Sequence, residues 1–126
     1  MTNEQLALAC EAAGPEEQPD LLTQAFAALD PSPNTHETYE QFKWAARSHN
    51  FDAMLAARAF LSAAELLVPE GWPSLYIATN DAGRCHAEIA CDDAQMIAED
   101  MDEGYCDGTA ATPALALTAA CLRCVA

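Results

Sequence analysis

The sequence predicts an α+β fold: N-terminal helices, a small antiparallel β-hairpin or sheet, and a buried C-terminal helix. Three observations carry this. Apolar residues before Pro69 recur at helical spacing. After Trp72 the period switches to two, with Leu75, Ile77 and Thr79 alternating with Ser74, Tyr76 and Ala78. From Ala114 to Leu122 apolar residues run all round the last helix, which buries it on most sides. With 126 residues, 13.5 kDa and a 52% hydrophobic fraction, residues 1–126 read as one domain able to bury roughly two thirds of its unfolded surface. Its parts are a helical stretch, 1–50, and a helix–sheet–helix stretch, 51–126, with an acidic insert at 92–108.

Each element has its own signal. Thr2 followed by Gln5 is a capping box, and Leu6, Ala9, Cys10 and Ala13 form a stripe that Gly14-Pro15 stops. Asp20 is placed to cap a second helix with Leu22, Ala25, Phe26 and Leu29 inward, ended by Asp30-Pro31-Ser32-Pro33. Asn34 with Glu37 suggests a third start, with Tyr39, Phe42 and Ala46 on one face. Asn50 can restart the helix, and Phe51 to Val68 is the longest expected helical stretch, closed by Pro69. Residues 34–68 fit one bent helix or two. Asn80 to Gly83 turns the chain, and Arg84 to Cys91 alternates again, giving a hairpin. Residues 93–101 fit a short helix or a solvated loop. Thr112-Pro113 opens the last helix, with proline where its missing N–H costs nothing.

The charge is the strongest functional signal. Twenty Asp and Glu oppose five Lys and Arg, a net charge of −15. Between Arg84 and Arg123 no basic residue occurs, and Asp92, Asp93, Glu99, Asp100, Asp102, Glu103 and Asp107 cluster there. Such a chain repels nucleic acid and anionic membrane and attracts basic surfaces, including those that grip DNA or RNA. Met1 to Cys10 is too polar for a signal peptide, and no apolar run approaches the roughly 20 residues of a membrane span. A cytosolic protein is expected, with Cys10, Cys85, Cys91, Cys106, Cys121 and Cys124 as reduced, small buried hydrophobes.

Two segments carry a family resemblance. Val68-Pro69-Glu70-Gly71-Trp72 closes the long apolar helix, and Ala111-Thr112-Pro113-Ala114-Leu115-Ala116-Leu117-Thr118-Ala119-Ala120-Cys121-Leu122-Arg123 closes the chain. The pairing resembles small phage and prophage proteins of the phage ABA sandwich type, over residues 51–91 and 109–123. The resemblance implies an α+β layered fold and a phage origin, and carries no catalytic residues with it. The acidic stretch from Asp92 to Asp107 and the helices around Tyr39 to Arg47 are additions to that scaffold, and additions to a plain scaffold are where function is sought.

Motifs for chemistry fall short. His86-Ala87-Glu88 with Cys121-Leu122-Arg123-Cys124 resembles the H-x-E and P-C-x-x-C ligands of zinc deaminases. However, Ala120 replaces the proline, His86 and Glu88 lie in a strand-like run, and only two residues follow Cys124. A structural zinc would need Cys121 and Cys124 with two of Cys85, His86, Cys91 and Cys106, although the pair sits late in a helix rather than in a knuckle. Asp100 to Gly104 misplaces the glycine of a calcium loop and lacks its closing glutamate. His36 and Glu40 share a helix face without a third ligand. No nucleotide or nucleophile-elbow motif occurs. Trp44, Tyr39 and Phe42 interleave with Lys43 and Arg47, as core packing or as an aromatic anchor for a partner. No enzyme activity, cofactor or metal is expected.

The acidity cannot imitate DNA over the whole surface. Fifteen charges on roughly 6,500 Å² average about one per 430 Å², against roughly one per 100 Å² on duplex DNA. A local stripe from Asp92 to Asp107 can. The expectation is a non-enzymatic inhibitor of a host nucleic-acid-binding defence complex, of anti-CRISPR or anti-restriction type, with no direct nucleic-acid or membrane contact. Its partner-binding residues are Asp92, Asp93, Glu99, Asp100, Asp102, Glu103, Tyr105 and Asp107. The alternative is a phage accessory, structural or regulatory module.

Overall fold

The computed structural model describes residues 1–30, 38–69, 74–90 and 105–124. The helices are α1 (Asn3–Ala12), α2 (Gln18–Ala28), α3 (Thr38–Ala56), α4 (Phe60–Glu65) and α5 (Pro113–Cys124), and the strands are β1 (Ser74–Thr79), β2 (Cys85–Ala90) and β3 (Tyr105–Ala110). The fold is α+β: a three-stranded antiparallel sheet in the order β1-β2-β3, with α5 packed on it. Among the described residues, no helix is long and apolar enough to cross a membrane.

The capping box of α1 forms as the sequence predicts. The Thr2 hydroxyl accepts from the Gln5 N–H at 3.1 Å, and the Gln5 amide oxygen accepts from the Thr2 N–H at 2.8 Å. Thr2→Ala should cost about 1 kcal/mol, seen as a lower urea midpoint with an unchanged slope. The second start lies earlier than expected. A 3-10 turn, Pro15–Glu17, runs into α2 at Gln18, so Asp20 sits in the first turn and is not the cap. Both Pro15 and Pro19 occupy early helical positions, where no partner for an N–H is needed.

The third helix differs most from expectation. It runs unbroken through Asn50 to Ala56, longer than the predicted Phe51–Val68 stretch, and the expected start at Asn34 lies outside the described residues. The break comes at Arg58, whose φ of 60° is left-handed. Ala59 N–H donates to Met54 at 2.8 Å and Arg58 N–H to Leu55 at 3.0 Å, a Schellman ending without glycine. Geometry gives the reason: a straight helix would hold Phe51 and Leu67 roughly 24 Å apart along its axis, whereas both are buried in one core. The face bearing Tyr39, Phe42 and Ala46 turns outward, with Tyr39 and Phe42 at 68% and 72% exposure. Trp44 turns inward. Phe26 stacks between Trp44 and Phe51, with centroids 4.4 and 4.3 Å away.

The α5 helix is the hub of the core. The sheet lies on one side of it and α1, α2 and α4 on others, so Ala114 to Leu122 are all buried. Thr112 caps its start, its hydroxyl accepting from Leu115 N–H at 3.2 Å and donating to Gln18 at 2.9 Å. Buried Thr118 satisfies its hydroxyl on the Ala114 carbonyl at 2.7 Å.

The hairpin turn is built by Asn80, whose side-chain oxygen accepts from Ala82 and Arg84 N–H groups at 3.0 Å each, and by Gly83 at φ 79°. The third strand is the correction to the acidic insert. Residues 105–108, expected to belong to it, pair with β2 instead, Tyr105 opposite Ala90 and Gly108 opposite Ala87.

Candidate functional site

The pleat divides the sheet into two faces. Cys85, Ala87 and Ile89 on β2 are buried toward the helices, and the register puts Ile77, Gly108 and Ala110 on that same face. Tyr76, His86, Glu88, Tyr105, Asp107 and Thr109 point the other way, where no described helix packs. Tyr76 is 58% and Tyr105 41% exposed.

These side chains form one network. Glu88 and Asp107 face each other across β2 and β3, an arrangement that like charges disfavour. The His86 imidazole stands beside both, Nε2 lying 3.0 Å from Glu88 Oε1 and 3.9 Å from Asp107 Oδ2. Its Nδ1 is 2.8 Å from the Thr109 hydroxyl, so both ring nitrogens are engaged. The Tyr105 hydroxyl donates to Glu88, which with the His86 contact holds that carboxyl below its usual range. The same hydrogen bond, with desolvation, pushes the Tyr105 phenol up to about 12. Glu88 is therefore an anion at neutral pH, fixed by donors.

Nearby cations do not neutralise this face. Arg123 on α5 forks onto Glu11 (2.6 and 3.0 Å), meets Glu4 at 3.0 Å and donates to the Asp107 carbonyl, not its carboxylate. Arg84 donates to the carbonyls of Glu11 and Thr109. Both guanidiniums tie α1 to the sheet.

Of the partner-binding residues expected from sequence, Tyr105 and Asp107 lie on this face. Asp92, Asp93, Glu99, Asp100, Asp102 and Glu103 lie outside the described residues. The described residues that flank them in sequence, Ala90 at the end of β2 and Tyr105 at the start of β3, are paired at one end of the sheet. Tyr76, His86, Glu88 and Thr109 were not expected there. The alternation of β1 and β2 around the Asn80–Gly83 turn contained the signal for the first three; Thr109 required the third strand.

The zinc constellation does not assemble. His86 and Glu88 lie on the open face, while α5, bearing Cys121 and Cys124, packs on the opposite one. Cys106 and Cys124 share a thiol contact, and desolvation pushes the Cys121 thiol up to about 12 and raises that of Cys124 as well. Among the described residues no three candidate ligands converge on a metal position. Cys10, Cys85 and Cys121 are buried free thiols; Cys91, His36 and the Asp100–Gly104 stretch lie outside the described residues. Arg47 donates to the Leu66 carbonyl at 3.2 Å, and the Lys43 ammonium sits 4.9 Å over the Tyr39 ring.

Comparison with family models, with curated proteins and with solved structures finds no match.

Proposed function

We propose that this chain is a non-enzymatic phage protein that binds a basic, nucleic-acid-handling host protein in the bacterial cytosol and inhibits it, as an inhibitor of a CRISPR or restriction complex does. One observation carries the reading. A sheet face on which no described helix packs presents Glu88 and Asp107 beside the exposed Tyr76 and Tyr105, and Ala90 and Tyr105, which flank the acidic segment in sequence, are paired at the end of that face. The net charge of −15 over 7140 Å² is about one charge per 480 Å², too sparse for imitation of duplex DNA as a whole. A local row of carboxylates suffices to steer a basic partner and to compete for its phosphate-binding groups.

The test replaces Glu99, Asp100, Asp102 and Glu103 by Gln or Asn. Inhibition, measured as phage survival against the host system, should fall at least about tenfold while circular dichroism stays unchanged. Association of the parent should slow by about tenfold between low and physiological salt. A neutralised variant that protects phage as well as the parent does would reduce the acidic segment to a solubilising loop.

A second reading, a phage accessory or assembly module, draws on a different surface. The outward Tyr39–Phe42 face of α3 offers apolar contact with no dependence on charge. Tyr39→Ser with Phe42→Ser would then abolish binding that the four acid substitutions leave intact.

A further inference from the structure

At the end of the sheet where Ala90 pairs with Tyr105 lies a notch of about 160 Å³, lined by Tyr76, Glu88, Ala90 and Tyr105 of the outward face and by Leu75 and Ile89. Small-molecule pockets run to roughly 300–1,000 Å³, so this one accommodates the head of a single side chain. Its chemistry is specific. Tyr76 stands directly opposite Glu88 on the neighbouring strand, and Tyr105 lies diagonally across on the other side, opposite Ala90. A fixed carboxylate therefore stands between two partly exposed phenol rings.

We propose that this notch receives an arginine side chain of the partner, its guanidinium pairing with Glu88 and stacking on the rings of Tyr76 and Tyr105. The proposal rests on the reading that the partner is basic, and narrows it to one anchoring contact. Three features select this occupant. The carboxylate already accepts from Tyr105 and His86, so it is oriented before any ligand arrives, and a carboxylate has further lone-pair positions to offer. Flanking aromatic faces attract a cation, and a planar guanidinium stacks on them as an ammonium cannot. The described cations nearest to it, Arg84 and Arg123, are bound to Glu11 and to backbone carbonyls, so neither fills the notch. Arginine at such a site supplies the desolvated anchor that loose charge attraction lacks.

The experiment titrates N-acetyl-arginine methylamide into the whole protein and follows backbone amide and tyrosine ring signals by NMR. The lysine and citrulline methylamides serve as a cation of different shape and a neutral shape mimic. Expected are saturable shifts at Tyr76, Glu88 and Tyr105, with lysine at least threefold weaker and citrulline at least tenfold weaker. Glu88→Gln should weaken arginine binding by about tenfold and Tyr76→Ala by about threefold, with Tyr76→Phe restoring it. Preserved amide dispersion shows that each variant is folded. Equal binding of arginine by Glu88→Gln and the parent would overturn the proposal, as would equal binding of lysine and arginine. Shifts confined to residues 92–103 would overturn the notch and leave the acidic-segment reading standing. No shift anywhere, with inhibition still lost on neutralising the four acids, would do the same.

Discussion

Gly108→Ala should destabilise the protein by about 3 kcal/mol, a large part of the 5–15 kcal/mol that holds a domain of this size together. Gly108 lies on the helix side of β3, where α5 comes so close that no side chain fits. A Cβ there would stand 2.8 Å from the Ala119 Cβ and 3.0 Å from the Ala120 nitrogen, and closer still to the Ala116 carbonyl oxygen. These are backbone and first-carbon atoms, not flexible side-chain ends, so α5 as a whole must retreat from the sheet. That retreat would loosen its packing against Ala87 and Ala110, both fully buried. Gly83→Ala is the control: nothing lies within 4 Å of its Cβ position, and only the left-handed φ of 79° opposes it, at a cost of about 1 kcal/mol. Urea unfolding of the two variants separates lost space from lost backbone freedom. If Gly108→Ala costs no more than Gly83→Ala, the close approach of α5 to β3 is wrong.

Much of the architecture was readable because helix and strand periods are written in the spacing of apolar residues. The hairpin follows from Leu75, Ile77 and Thr79, and the burial of α5 from Ala114 to Leu122. The third strand was hidden because Tyr105-Cys106-Asp107-Gly108-Thr109-Ala110 has no clean alternation and includes Asp and Gly, poor strand formers that β2 and α5 override. The end of α3 was hidden because Ala57-Arg58-Ala59 contains no breaker; tertiary packing sets that boundary. On the open face, Tyr105 and Asp107 were legible as an aromatic and an acid beside the charged segment. Their junction with Glu88, His86 and Tyr76 was not, since it depends on the register of a strand that sequence did not reveal.

Arg123→Ala should lower stability at neutral pH by about 2–3 kcal/mol, near the lower end of what removing one partner of a buried ion pair costs. The Arg123 side chain is 20% and the Glu11 side chain 23% exposed. Without Arg123, the Glu11 carboxylate retains the Thr109 N–H at 2.9 Å but loses its forked cation, and the Asp107 carbonyl loses a donor. The pH dependence distinguishes this from simple lost packing. The hydrogen bonds from Arg123 hold Glu11 below its ordinary carboxyl value, so its contribution is complete above about pH 4.5 and disappears as the pH falls through the lowered value. Arg123 stays charged throughout. The gap between the parent and Arg123→Ala should therefore be widest at pH 7 and narrow below pH 4, as the parent's Glu11 takes up a proton. Glu11→Gln should show the same narrowing, measured by urea unfolding at both pH values. A gap independent of pH would mean that Arg123 contributes through its packed stem and its hydrogen bond to the Asp107 carbonyl, and not through Glu11. Because its charge is used between α1, β3 and α5 and not at the open face, the Arg123→Ala variant that remains folded should bind the proposed basic partner as tightly as the parent does. Loss of binding in that folded variant would show that the open face depends on Arg123 after all.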